Sequence, residues 1–286
     1  MVMEWTQALK TSISYMEEHL LEDIHSVDVA RQVNMSEYYF QKGFSVVTGY
    51  TIGDYIRNRR LYLAALELLT GEEKVIDIAY KYGYETPESF SKAFKRFHGI
   101  NPGQVKSRYA CIQPFQPLII KLSVEGGSKM NVRMEKMDAF KIVGKSRVFN
   151  TETGYQEIPK FWAEWCENMC NECKDSGSSS YGKYGICIEK GEGQNFDYYI
   201  AGDYMAEPKG EGFEVVTIPA HTWAKFRCVG PMPGALQSMN TKIFQEWLPG
   251  NSQYEIAEAI NIEMYNEGDT MAADYVSEIW IPVKEK

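Results

Sequence analysis

The sequence predicts a chain of two domains: an all-α domain with a duplicated helix-turn-helix, then an α+β domain with an antiparallel sheet. Three observations predict it. Within residues 27–103 one motif occurs twice: Phe40, Lys42, Phe44, Gly49 and Gly53 return fifty positions later as Phe90, Lys92, Phe94, Gly99 and Gly103. Apolar residues follow helical spacing up to about residue 110, and alternation at period two begins near Met134. The charge divides as well: residues 1–112 carry 13 Lys+Arg and 14 Asp+Glu, residues 113–286 carry 17 and 25, so most of the net charge of -9 lies in the second half. The 286 residues suffice for two cores. The expected boundaries are 1–112, a linker at 113–129, and 130–286.

Residues 5–20 open with an amphipathic helix, since Trp5, Leu9, Ile13, Met16 and Leu20 fall on one stripe. Val27, Val29, Ala30 and Val33 make the first helix of repeat one. Asn34 to Ser36 make its turn, and Ser36 is a good N-cap for the next helix. There Phe40, Phe44 and Val47 face inward. Tyr38, Gln41, Lys42 and Ser45, spaced i, i+3, i+4, i+7, form an exposed polar stripe whose donors and acceptors suit base edges in a major groove. Residues 52–69 read as one long helix, with Arg57, Arg59 and Arg60 near its start. It would span roughly 27 Å, against about 34 Å between successive major-groove faces.

Repeat two follows, with Ile78-Ala79 in its first helix, Gly83 in the turn and Pro87 opening the second helix. Phe90, Phe94 and Phe97 face inward, and Glu88, Ser91, Lys92 and Lys95 repeat the polar stripe, with Arg96 beside it. Between Glu88 and Glu125 there is no acid, while Lys92, Lys95, Arg96, Lys106, Arg108 and Lys121 all fall there. Such a local basic face outweighs the negative total for phosphate binding.

This stretch resembles the DNA-binding domain of the AraC/XylS family of bacterial transcription regulators. The run VIDIAYKYGYETPESFSKAFKRFHGINPGQVKSR carries the likeness. The resemblance implies two helix-turn-helix units reading adjacent major-groove segments of double-stranded promoter DNA, with RNA polymerase as a further partner. It gives base-reading roles to Tyr38, Gln41 and Lys42 and to Glu88, Ser89 and Lys92. Chemistry alone assigns Arg57, Arg59, Lys95 and Arg96 to phosphates.

Pro114, Pro117 and Gly126-Gly127 bracket a linker that could hold a short strand at Leu118–Val124. Strands are then expected in 132–149 and near 184–190, 195–201, 213–218, 221–229, 259–265 and 275–283, with helices at 156–173 and 235–248. In the last strand Glu278 stands between Val276 and Trp280 on one face. Glu263 shares a face with Tyr265 on the strand before. A carboxylate among aromatic rings is costly to bury unless something pairs with it, and it suits a lipophilic cation.

The stretches FKIVGKS, FDYYIAGDY, GFEVVTIPAHTWAKFRCVGPMPGA and EMYNEGDTMAADYVSEIWIPV resemble the GyrI-like effector-binding domain of multidrug-responsive regulators. That likeness implies an acidic, aromatic pocket: Glu278 first and Glu263 second, with Trp162, Tyr199, Trp223, Tyr265 and Trp280 as walls. A small-molecule effector follows, aromatic or cationic. Some domains of this kind act as hydrolases, and a protein-partner module is a further alternative.

Cys166, Cys170 and Cys173 spell C-x3-C-x2-C, but on the tail of an amphipathic helix, where small apolar thiols are the expectation. No fourth metal ligand is near them. With no catalytic triad, P-loop or dinucleotide fingerprint, neither an enzyme, a cofactor nor a metal is expected. With no charged-then-apolar leader and no membrane-spanning run, the expected compartment is the cytoplasm, without a membrane partner.

Overall fold

The structure is a computed structural model and describes residues 5–120, 130–172, 182–189, 195–208 and 210–286. The first part of the chain forms α1 (Trp5–Glu18), α2 (Ser26–Gln32), α3 (Glu37–Thr48), α4 (Ile52–Thr70), α5 (Val75–Lys81) and α6 (Pro87–His98). The duplication is visible in the backbone itself. The turns after α2 and α5 each carry a left-handed residue, Asn34 at φ 53° and Gly83 at φ 80°. Gly49 and Gly99 follow α3 and α6 at φ 78° and 75°. A left-handed residue just past a helix costs least as glycine, with no Cβ, and asparagine is the usual alternative.

The chain forms two compact units. One contains the described residues of Met3–Met35 and Gly49–Leu122. Leu61, Leu68, Ile78, Phe90, Phe94, Ile100 and Val105 form its core across α4, α5 and α6. Arg60 donates to the carbonyls of Leu20 and Glu22 just past the end of α1, at 2.6 and 2.5 Å.

The other unit joins Ser36–Thr48, and hence α3, to the described residues of Ser123–Lys286. Its strands are β1 (Val132–Met137), β2 (Phe140–Asn150), β3 (Tyr184–Ile188), β4 (Asn195–Asp203), β5 (Glu214–Ile218), β6 (His221–Val229), β7 (Tyr254–Ile256), β8 (Ile260–Tyr265) and β9 (Val276–Glu285). All pairings are antiparallel, in the order β1-β6-β9-β8-β3-β4-β2-β5, with β7 added to β9. Its helices are α7 (Gly154–Glu172) and α8 (Gly234–Lys242), which runs through a π turn at Ile243–Trp247 into α9 (Leu248–Gly250).

The two faces of this sheet differ. One buries Trp223, Trp280, Tyr199, Tyr184, Ile186 and Ile262 in a common core. The other carries the helices: Phe161 of α7 meets Phe149 at 6.0 Å between ring centroids, and Trp247 meets Phe226 at 5.0 Å.

The expected fold class, helices first and then an α+β arrangement with an antiparallel sheet, is the observed one. Residues 118–120 are not strand, and the rest of the strand expected at Leu118–Val124 lies outside the described residues. The three-residue β7 was not anticipated. Among the described residues no helix is long and apolar enough to cross a membrane.

Candidate functional site

The second repeat presents its polar stripe as expected. Thr86 caps α6, its hydroxyl accepting from the Ser89 amide at 3.1 Å, and Pro87 sits in the first turn, where a missing N–H costs nothing. Phe90 and Phe94 are wholly buried, which turns Glu88, Ser89, Lys92, Lys95 and Arg96 outward. Among the described residues none of these three cations is held in an ion pair.

The arginines of α4 are engaged. Arg57 pairs with Asp54 one turn before it. Arg59 is 5% exposed; it grips Glu17 through Nε at 2.8 Å and Nη2 at 2.7 Å, and its third nitrogen meets the Phe115 carbonyl. Burial works against the Arg59 charge, but the Glu17 bonds outweigh it and hold the guanidinium above its usual range.

The first repeat departs from expectation. The stripe of Tyr38, Gln41 and Lys42 is not exposed: Tyr38 is 8% and Gln41 3% accessible, and Lys42 is half-buried. The physical reason is that this side of α3 lies on the helix-bearing face of the sheet. Every helix leaves its first four amides without an internal partner. Here the Glu189 carboxylate takes two, Glu37 N at 3.2 Å and Tyr38 N at 3.4 Å. The Ser36 hydroxyl takes a third, Tyr39 N at 3.3 Å, while the Ser36 carbonyl accepts the first regular helical bond, from Phe40 N at 3.0 Å. A carboxylate at that end also meets the positive pole of the helix. Further along, the Tyr39 hydroxyl donates to the Ile260 carbonyl, and Lys42 Nζ reaches Asn261 Oδ1 at 3.0 Å.

Tyr38 itself enters a cluster of polar and aromatic groups on that face. Its ring lies 5.0 Å from Phe196. Burial first, then the Cys187 thiol and the Glu263 charge, hold its hydroxyl well above the ordinary range. The Cys187 thiol is in turn pushed up to about 12, chiefly by burial. Glu263 is half-buried and accepts from the Tyr265 hydroxyl at 2.8 Å, with no cationic partner among the described residues. Trp162 crosses Tyr265 edge-on at 5.2 Å and donates to the Tyr198 hydroxyl at 2.8 Å. Gly185 makes this possible, because a Cβ there would strike the Tyr198 hydroxyl. Burial and then the Glu263 charge raise Tyr198 and Tyr265 as well.

The residues foreseen for a single pocket are therefore on two faces. Met264, not Glu263, is the register partner of Glu278, and antiparallel partners share a face. Glu263, Tyr265 and Trp162 are together on one side. Glu278, Trp280, Trp223 and Tyr199 are on the other.

Glu278, 5% exposed, is already satisfied. Arg133 binds it through two nitrogens at 2.5 and 3.1 Å, and Trp280 donates to it at 2.7 Å. Lys225 Nζ stands 3.8 Å from the centre of the Trp280 ring and pairs with Glu135 at 2.9 Å. The cation that this face suits is supplied by the chain.

Sequence reasoning missed Tyr198, Cys187, Asn261 and Glu189. It took Tyr199 where the neighbour, of opposite parity, faces the cluster; only strand register separates the two. Cys166 is exposed rather than buried, and the side chains of Cys170 and Cys173 lie outside the described ones. Among the described residues no group of three His, Cys, Asp or Glu is placed to hold a metal ion. A groove of about 430 Å³, lined by Val132, Met134, Trp247 and Tyr254, lies at the β1 edge and contains none of the cluster residues.

Comparison with known proteins matches both halves. Residues 133–283 match the family described as integron-associated effector binding protein, and residues 29–108 match a helix-turn-helix domain family. Regulatory protein SoxS of Salmonella typhimurium is 38% identical over 106 residues, covering 37% of this chain and 99% of that protein. The HTH-type transcriptional activator AarP of Providencia stuartii is 38% identical over 88 residues, 31% of this chain and 65% of that protein. The solved structure of SAV2435 bound to tetraphenylphosphonium aligns at a TM-score of 0.48 and 22% identity, covering 54% of this chain and 94% of that one.

Proposed function

The chain belongs to the integron-associated effector-binding family by its C-terminal half and is a DNA-binding transcription regulator of the AraC type by its N-terminal third, and from that premise we propose that this regulator answers to a hydrophobic, cationic small molecule held at Glu263. One observation carries the ligand assignment. A half-buried carboxylate stands among Tyr265, Tyr198 and Trp162 with no cation beside it among the described residues. Such a group gains most from a guest that brings positive charge and apolar surface together. Glu278 has its cation already, in Arg133, and serves the fold.

On the DNA side, α6 supplies Glu88, Ser89 and Lys92 to base edges and Lys95 and Arg96 to phosphates. Glu88 accepts from a cytosine amino group or repels other bases. Tyr38, Gln41 and Lys42 of α3 read the neighbouring groove segment, and Arg57 joins the phosphate contacts. Arg59 stays with Glu17. Contact with RNA polymerase then converts promoter binding into a change of transcription, in the cytoplasm. The C-terminal half acts by binding, without turnover.

The test is a titration of the full chain with tetraphenylphosphonium, followed by tryptophan fluorescence, beside Glu263→Gln and Glu278→Gln. Trp162 adjoins the site and should be quenched. Losing a charge-assisted contact weakens binding by about tenfold or more, so Glu263→Gln should bind that much less tightly, with Glu278→Gln close to wild type. Equal affinity in wild type and Glu263→Gln would remove the cation site from this face. Product accumulating beyond one equivalent per chain would make the C-terminal half a catalyst.

A further inference from the structure

We propose that α3 is a built-in competitor for the ligand site: its DNA-reading face is stored on the sheet, Tyr38 holds the place beside Glu263 that an effector takes, and effector binding frees the helix to read DNA. This rests on the assignment of α3 to base reading and of the Glu263 cluster to the ligand.

Four observations converge on it. Tyr38 and Lys42 meet the sheet and Gln41 is buried between them; these three are the i, i+3, i+4 set on which major-groove reading depends, and helix and groove cannot share that face. The acceptors on the sheet side are specific: Glu189 holds two free amides at the start of α3, and Asn261 holds the Lys42 ammonium. Tyr38 stands in the cluster itself, against Phe196 and within reach of the Glu263 charge. The Tyr38 side chain is held there by its ring contact with Phe196 and by hydroxyl contacts with the Cys187 thiol and, at 3.5 Å, Lys42 Nζ; none is covalent or through a metal, so the tyrosine can leave.

The chain therefore has a docked state and an open state. A ligand in the place of Tyr38 binds only the open state, so it shifts the population toward that state without touching DNA. Its effect is bounded by the docked-to-open ratio, since a fully opened protein gains nothing more. The effector acts to raise DNA affinity. Glu189 and Asn261 are the residues to alter, because they hold α3 and are not on it.

The experiment uses the full chain, as wild type and as Glu189→Ala/Asn261→Ala, with thermal melting to show that both are folded. Hydrogen exchange of the peptide amides in 37–48 is measured with and without tetraphenylphosphonium. In parallel, anisotropy at one salt concentration measures affinity for one duplex, selected from random-sequence DNA by the double variant. The amides should be protected in the wild type and exchange about tenfold faster in the variant, the size expected for losing charge-assisted hydrogen bonds. The cation should release the wild-type amides in the same way. The variant should bind the duplex about tenfold more tightly than wild type, and the cation should close that gap while leaving the variant nearly unchanged. Equal exchange in the two proteins overturns the docking whatever the DNA results. Faster exchange with no duplex binding by either protein leaves docking in place and overturns the base-reading role. Tighter cation binding with α3 still protected overturns the competition.

Discussion

At the scale of a residue, the clearest case of chemistry fixed by packing is His98. It is 2% exposed at the end of α6. Nε2 lies 3.1 Å from the Leu61 carbonyl and Nδ1 lies 3.1 Å from the Gln113 amide. A carbonyl can only accept and an amide can only donate, so the ring must be neutral with its proton on Nε2. Protonation of Nδ1 would set two N–H groups against each other. Burial lowers the imidazole pKa, the Leu61 bond opposing it. For a base with a depressed folded value, the unfolded chain takes up its proton first. The stabilising contribution is thus fully present above the ordinary value of about 6.5 and is lost as pH falls through it toward the folded value. Thermal melts between pH 8 and 5 should show stability declining below about pH 6.5. In His98→Gln, which can keep both hydrogen bonds, that part of the decline should vanish. A slope unchanged in the variant would place the acid sensitivity elsewhere.

At the scale of an element, α3 and β9 show what a sequence displays and what it hides. The spacing of Phe40 and Phe44, the Ser36 cap and the glycine that follows are local facts, and they marked α3 and its inward face. Where the opposite face goes is not local. A tyrosine, an amide and an ammonium at helical spacing look alike whether they meet water, a groove of DNA or Asn261 and Glu189. In β9 the alternation was legible and the partner was not, because a shift of one residue in register reverses the face. That parity decided whether Glu263 and Glu278 would meet, and the same parity separated Tyr198 from Tyr199. The strand network gives its own test. Glu278→Ala leaves Arg133 and the Trp280 indole N–H without their acceptor. Arg133 is half-exposed and recovers part of the loss from water, so the cost should be about 2 kcal/mol in denaturant unfolding, with cation affinity unchanged. Loss of cation binding at full stability would return the ligand to this face.

At the scale of the whole molecule, the two proposed states would bind two partners, and linkage would make the coupling reciprocal. If a cation raises the affinity for DNA by some factor, DNA raises the affinity for the cation by the same factor. With ten docked molecules for each open one, that factor is at most about eleven. Titrating the cation into protein saturated with its selected duplex, and into protein alone, should give dissociation constants whose ratio equals the gain in DNA affinity. Unequal ratios would break the two-state account. The face of α3 also has a consequence over evolutionary time. On the proposed reading, Tyr38, Gln41 and Lys42 would serve two readerships, the bases of a promoter and the unit on which α3 is stored. A mutation that retunes which sequence is recognised also alters how firmly the helix is kept at rest. Promoter preference and background expression would therefore drift together in descendants of this chain, and a lineage that changed its target would have to re-adjust Glu189 or Asn261 to stay silent without its signal.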